Sequence, residues 1–190
     1  MYLDRKSVFS IIFVVFKTKI NKIIMATITL KGNEIHTFGT LPVVGSMVSN
    51  FKLINNDLGE VSLSDVKGSR LVLNIFPSLD TGICAASVRN FNKMASSMDN
   101  TKVLCVSRDL PFAQKRFCGA EGIEDVITVS DFKDGVFGKV FGVEIVDGPM
   151  AGLHSRAVVV VDETGKIIYT EQVPEIVQEP NYEAAIASLK

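Results

Sequence analysis

The chain alternates between short apolar runs, typical of β-strands, and longer stretches of helical character. Four runs are almost wholly apolar: Leu71 to Phe76, Lys102 to Ser107, Val126 to Val129, and Ala157 to Val161. Helix-like segments separate the first three, which predicts βαβ units. The fourth is followed by a turn and then by Lys166 to Thr170, and this hairpin signal makes the sheet mixed. We therefore predict an α/β fold with a mixed central sheet flanked by helices.

The residues before this pattern predict a second, smaller β element. Thr27 to Leu30 and Glu34 to Phe38 alternate between polar and apolar positions around the turn Lys31-Gly32-Asn33, as expected of a β-hairpin. Two further short strands and a closing helix are predicted at Phe51 to Ile54, Val61 to Leu63 and Tyr182 to Lys190.

Residues 1–24 differ in character from the rest of the chain. Their apolar run, Val8 to Phe16, is bounded by basic residues and is shorter than the roughly 20 residues that a membrane-spanning helix needs. No small-residue cleavage site follows it. We interpret 1–24 as an N-terminal extension from an upstream start codon, with a targeting segment or a surface anchor as alternatives. We treat 25–190 as one domain and expect a chain that starts at Met25 to fold and function.

Composition narrows the classes of function. The 190 residues are 47% hydrophobic and 22% charged with a net charge of −1, which suits one globular domain and gives no electrostatic case for nucleic acid or membrane binding. The three cysteines are widely spaced without a C-x-x-C motif, which argues against a zinc ribbon or a thioredoxin-type dithiol. His36 and His154 lack ligand spacing, so we expect no metal.

Cys84 is the strongest candidate for chemistry. It lies where a buried strand ends and a helix begins, and the free N–H groups and partial positive charge of a helix N-terminus favour a thiolate, the nucleophilic form. Thr81 could cap this helix or offer a hydroxyl to the group that Cys84 attacks. An inert buried cysteine is the alternative, but Pro77, Thr81 and the helix start together favour a reactive thiol.

The other two cysteines are less distinctive. Cys105 lies in the middle of an apolar strand, where a thiol most often serves as a small core residue. Cys118 lies in a predicted short helix that Asp109 can cap and Gly119 can end. From the residues alone, Cys118 is either a packing residue beside a helix-ending glycine or a second reactive thiol.

Pro77, Thr81 and Cys84 form the P-x-x-x-T-x-x-C pattern of peroxiredoxins. Two longer stretches, Asn74 to Arg89 and Asp109 to Gly122, resemble the bacterial thiol peroxidase branch, an atypical two-cysteine type. The resemblance runs from about residue 25 to residue 190. It implies a thioredoxin-like fold with an extra N-terminal β-hairpin and a thiol-dependent peroxidase activity.

The resemblance also implies roles for single residues. Cys84 would be the attacking, or peroxidatic, thiol, and Cys118 of the same chain would resolve its oxidised form as a disulfide. Pro77 would shield the thiolate and shape the pocket, and Thr81 would position the peroxide. The family's active-site arginine corresponds to Arg156, with Arg89 as the competing candidate, because the chemistry needs a fixed cation near the thiolate.

Further expectations follow from the same resemblance. The substrates would be hydrogen peroxide and organic hydroperoxides, with thioredoxin as the reductant. The protein would be a cytoplasmic homodimer, and no cofactor would be needed because sulfur carries out the redox chemistry. A peroxide-sensing redox regulator that uses the same cysteines is the main alternative, and a non-catalytic thioredoxin-fold binding module is another.

Overall fold

The computed structural model describes residues 24–190, so the interpretations of residues 1–23 lie outside the described residues. The strands of the described part are Thr27–Leu30 (β1), Asn33–His36 (β2), Lys52–Asn55 (β3), Glu60–Ser62 (β4), Arg70–Ile75 (β5), Thr101–Ser107 (β6), Ile127–Ser130 (β7), Ala157–Val161 (β8) and Ile167–Gln172 (β9). Its α-helices are Gly82–Ala95 (α1), Pro111–Glu121 (α2), Val136–Val140 (α3) and Tyr182–Ala187 (α4), and a 3₁₀ helix covers Leu63–Val66.

Seven of the strands form one mixed sheet in the order β4-β3-β7-β6-β5-β8-β9. Strands β5, β6 and β7 are parallel, whereas β8 runs antiparallel to β5 and β9 runs antiparallel to β8. The carboxyl ends of the parallel strands therefore meet at one edge, together with the start of β8. The predicted α/β class and mixed sheet are confirmed.

The sheet is buried on both faces, which explains why its central strands are almost continuously apolar. Successive residues of a strand point to opposite faces. Leu71 and Leu73 join the hydrophobic cluster that contains α3, whereas Val72 joins the cluster beneath α1 and α4. The loop from β5 to α1 thus begins in a fully packed core.

The N-terminal hairpin is a separate two-stranded sheet, as predicted. Lys31 and Gly32 both have positive φ angles, 52° and 79°, which a tight hairpin turn of this hand requires. The buried Ile28 and Ile35 pack against Ile145 and Ile176, which anchors the hairpin to the loops of the main domain.

Helix α2 differs from its prediction at both ends. Asp109 does not cap it, because Leu110 is the residue that precedes its first turn and the Asp109 carboxylate binds elsewhere. The helix also continues past Gly119 to Glu121, and the left-handed conformation of the next residue, Gly122 (φ 62°), lets its N–H bind the carbonyl of Cys118. At the C-terminus, α4 ends at Ala187 rather than at the last residue.

Candidate active site

Cys84 is the third residue of α1, directly after the loop that follows β5. The first N–H groups of a helix have no partner within the helix, so the backbone here favours negative charge. The side chain is completely buried and belongs to an apolar cluster with Leu79 and Val88. A peroxide can therefore reach the sulfur only when neighbouring side chains move.

Arg156 contacts the sulfur of Cys84. Its Nη2 donates to Sγ at 3.3 Å, and its Nε donates to the carbonyl of Ile176 at 2.9 Å. The strand pairing explains this contact, because Ile75 at the end of β5 lies opposite Ala157 at the start of β8. Residues that follow β5 and precede β8 consequently meet at the same edge of the sheet.

The charge of Arg156 has no carboxylate partner among residues 24–190, although the residue is only 2% exposed. A buried charge is costly unless an opposite charge or hydrogen bonds compensate for it. A thiolate at Cys84 would supply the opposite charge. The Nη1 group of Arg156 is also buried without a hydrogen-bond partner in the described part, so it can donate to an oxygen bound beside the sulfur.

Arg89 occupies a different position. Its guanidinium makes two hydrogen bonds of 2.8 Å to the carboxylate of Glu121 on α2, and it lies over the ring of Phe117 at 5.9 Å. The side chain is partly exposed, at 42%. These contacts hold Arg89 between two helices, so the geometry favours Arg156 as the cation beside the thiol.

Thr81 and Pro77 lie in the loop between β5 and α1. Thr81 directly precedes the first turn of α1, but its hydroxyl donates to the carbonyl of Ser78 at 3.0 Å rather than to a helix N–H. Thr81 is exposed and Pro77 is buried. The loop therefore brings Pro77, Thr81 and Cys84 to the same edge of the sheet.

Asp109 contributes a contact that the sequence interpretation missed. Its carboxylate accepts hydrogen bonds from the Ser78 hydroxyl and the Leu79 N–H, both at 2.7 Å. It also accepts one from the Ser107 hydroxyl at 2.9 Å. The sequence did contain a signal for this contact. Asp109 follows β6, and the loop that holds Ser78 follows β5, so two parallel neighbouring strands bring these segments together.

Cys118 lies near the end of α2 and is half-buried. Its sulfur is 3.4 Å from the Thr128 hydroxyl and 3.8 Å from the Asn56 amide nitrogen. Cys84 and Cys118 are both free thiols with different partners. A disulfide requires Cα atoms within about 7 Å and suitably directed side chains, so the pair must leave these contacts to join.

Cys105 is a buried core residue of β6. Its sulfur accepts a hydrogen bond from the Asn74 amide at 3.5 Å. Burial raises the pKa of the Cys105 thiol to about 12, and only the thiolate is a good nucleophile. The structure thus gives Cys105 an environment unlike that of Cys84, where a cation touches the sulfur.

The two histidines bind carboxylates. His36 Nδ1 is 2.7 Å from Asp147, and the buried His154 Nε2 is 3.0 Å from Asp131. Within residues 24–190, no three His, Cys, Asp or Glu side chains are grouped in a way that could hold a metal ion. In that same range, every helix is too short or too polar to cross a membrane.

Glu175 attaches the N-terminal hairpin to the segment that holds Arg156. Its carboxylate accepts hydrogen bonds from the N–H groups of Lys31 and Gly32, both at 3.0 Å, and from the Thr29 hydroxyl at 2.9 Å. The next residue, Ile176, offers its carbonyl to Arg156 Nε. The hairpin therefore helps to orient the arginine beside Cys84.

We expect this attachment to weaken in acid. The N–H of Gly32 is the main reason that the pKa of Glu175 is lowered from 4.5 to about 2, with further hydrogen bonds from Lys31 and Thr29. Because the folded-state pKa lies below the ordinary value, the stabilisation is complete above about pH 4.5 and is lost as the pH falls toward 2. Hydrogen exchange of residues 27–36, corrected for intrinsic rates, should show protection falling over this range. A Glu175→Gln variant with the same acid dependence would contradict the assignment.

Comparison with known proteins shows where this architecture recurs. The family model described as Redoxin matches residues 43–186. The chain is 58% identical to the thiol peroxidase of Mycobacterium tuberculosis (strain ATCC 25618 / H37Rv) over 165 residues, which cover 87% of this chain and 99% of that protein. A peroxiredoxin-like protein from Aquifex aeolicus has a TM-score of 0.82 at 38% identity, with 87% of this chain and 96% of that one covered. A thiol peroxidase from Chromobacterium violaceum, at 18% identity and a TM-score of 0.78, shares the fold over 83% of this chain and 91% of its own.

Proposed function

Because the chain belongs to the redoxin family and is a thiol-dependent peroxidase, we propose that Cys84 is its attacking thiol and Cys118 its resolving thiol. The observation that carries the proposal is the 3.3 Å contact between the buried guanidinium of Arg156 and the sulfur of Cys84. This contact lies at a helix N-terminus, so two sources of positive potential act on one sulfur. Neither acts on the buried Cys105.

In the first step, the Cys84 thiolate attacks the terminal oxygen of the peroxide. A sulfur–oxygen bond forms as the O–O bond breaks, two electrons pass from sulfur to the departing oxygen, and that oxygen takes a proton and leaves as water or an alcohol. Cys84 is left as a sulfenic acid. The free Nη1 of Arg156 stabilises the charge that develops on the oxygens, Thr81 positions the peroxide and Pro77 shields the thiolate.

In the second step, the Cys118 thiolate attacks the sulfur of the Cys84 sulfenic acid. A disulfide forms, and the sulfenic oxygen leaves as water after it takes a proton. The position of Cys118 in the last turns of α2 supports this step, because a helix unwinds most readily at its ends. An external dithiol, for which we propose thioredoxin, then reduces the disulfide by thiol–disulfide exchange.

The surroundings of Cys84 favour organic hydroperoxides over hydrogen peroxide as substrates. The sulfur lies in a cluster of apolar side chains, which would accept the hydrocarbon part of such a molecule. We propose that the protein works as a homodimer. We place the reaction in the cytoplasm, where free thiols are kept reduced between cycles.

A Cys118→Ser variant tests this division of roles. After one equivalent of peroxide, we expect wild-type protein to contain an intramolecular Cys84–Cys118 disulfide by mass spectrometry. The variant should instead carry the sulfenic acid of Cys84 or its overoxidised forms, because the first step needs only Cys84. Steady-state turnover with thioredoxin should stop.

Two outcomes would contradict the proposal. A Cys118→Ser variant that cycles with thioredoxin at the wild-type rate would remove Cys118 from the resolving role. Wild-type protein that forms the disulfide but does not turn over with thioredoxin would indicate a peroxide sensor instead.

A further inference from the structure

One carboxylate joins the two segments that lead to the reactive cysteines. Asp109 lies between the end of β6 and the start of α2, the helix that contains Cys118. Its side chain binds the Ser78 hydroxyl and the Leu79 N–H, which belong to the loop that leads into α1 and Cys84. The same carboxylate therefore spans the starting points of both helices.

Asp109 is itself fixed to the sheet. The Ser107 hydroxyl at the end of β6 donates to its carboxylate at 2.9 Å, and the hydroxyl of Ser130 at the end of β7 donates to its carbonyl oxygen. Its own N–H donates to the Ser107 oxygen at 3.2 Å. The aspartate is thus a rigid anchor to which the loop before α1 is attached.

A second polar contact joins the loop to α2 itself, and it is a weak one. Arg116 pairs with Asp80 at 3.3 Å, with side chains that are 69% and 66% exposed. Exposed ion pairs of this kind contribute little. The half-buried, charge-assisted bonds of Asp109 are therefore the main polar link between the loop and the sheet edge.

We propose that Asp109 is a positioning residue that holds this loop closed for peroxide attack and releases it for disulfide formation. The inference rests on the proposed function. Attack requires Cys84 to stay beside Arg156, which the closed loop ensures. Disulfide formation requires Cys84 to leave that contact, which the same bonds oppose.

The consequence is a competition at the sulfenic acid. In the closed form, a second peroxide can oxidise the Cys84 sulfenate to a sulfinic acid and release water or an alcohol. In the open form, Cys118 forms the disulfide with Cys84, which prevents oxidation to the sulfinic acid. Asp109 favours the closed form, so it sets how much enzyme is overoxidised at high peroxide.

Asp109→Asn is the direct test. The amide has a similar shape but carries no charge and has one acceptor oxygen, so its bonds to the Ser78 hydroxyl and the Leu79 N–H are weakened or lost. Ser78→Ala removes the bond from the Ser78 hydroxyl alone, and it provides the test if Asp109→Asn does not fold. Asp99→Asn, at an exposed carboxylate beyond the far end of α1, removes the same charge as a matched control.

The experiment follows single turnovers of the full chain by rapid quenching and mass spectrometry. For Asp109→Asn we expect attack on peroxide to slow about tenfold and disulfide formation to accelerate about tenfold, the scale of one charge-assisted hydrogen bond. The sulfinic acid yield at excess peroxide should fall. Ser78→Ala should change the same quantities less, and Asp99→Asn should match wild type.

A folded Asp109→Asn or Ser78→Ala variant with the wild-type ratio of sulfinic acid to disulfide would overturn the inference. This includes a variant in which both steps slow equally, since that is the behaviour of a merely structural residue. Failure of the proposed function is distinct, because peroxide would then leave Cys84 of the wild-type protein unmodified or produce no Cys84–Cys118 disulfide.

Discussion

Replacing Cys84 with serine should abolish peroxide reduction. A serine hydroxyl in place of the thiol is not ionised near neutral pH and cannot be oxidised to the equivalent of a sulfenic acid. The helix N-terminus and Arg156 remain in place, but they have no nucleophile to activate. We expect the rate to fall on the order of 10⁴-fold or more, as for the loss of other enzyme nucleophiles. Steady-state peroxide consumption coupled to thioredoxin measures it.

The matched control is Cys105→Ala. This thiol is buried and its pKa is about 12, so its removal should leave the turnover rate close to that of wild type. Substantial activity in the Cys84→Ser protein would transfer the attacking role to Cys105 or Cys118. If a folded Cys105→Ala variant also lost its activity, the result would indicate that Cys105 in the core of the sheet takes part in the chemistry.

Arg156→Met should slow the attack on peroxide by about 100-fold, the usual effect of removing one donor from a preorganised site. Methionine keeps much of the length and apolar volume of arginine but lacks the charge and both Nη donors. Single-turnover kinetics of the attack on peroxide measure this effect.

Arg89→Met is the control for this experiment, because it removes the same group from α1, the helix that contains Cys84. The Arg89–Glu121 pair is partly exposed, and ion pairs of this kind contribute little to stability. Its loss should leave attack near the wild-type rate. If Arg89→Met were slow and Arg156→Met were normal, the assignment of the active-site cation would be reversed.

The sequence predicts local features of this site better than contacts between distant segments. Cys84 could be proposed as the reactive thiol from its neighbours, because a buried strand, a proline and a helix start are adjacent in the chain. Arg156 could not be chosen over Arg89 without the family resemblance, since its contact with Cys84 depends on the pairing of β5 with β8.

Asp109 is a second residue whose contacts with a distant segment could not be predicted from its neighbours in the sequence. Its local pattern, an acid two residues before a proline that suits the first turn of a helix, predicts a helix cap. Its real partners, Ser78 and Leu79, lie 31 and 30 residues earlier. The end of α2 was also misplaced, because either Gly119 or Gly122 could end a helix and only the folded backbone selects the second.

The antiparallel pairing of β5 with β8 determines when the Cys84 thiol acquires its neighbouring cation as the protein is made. Cys84 leaves the ribosome 72 residues before Arg156, so for that part of synthesis the thiol has no guanidinium beside it. The cation arrives only when β8 completes the sheet, a non-local contact of the kind that forms slowly in folding. A nascent or unfolded chain thus exposes a cysteine without that cation, and on the proposed assignment we expect only the finished molecule to react readily with peroxide.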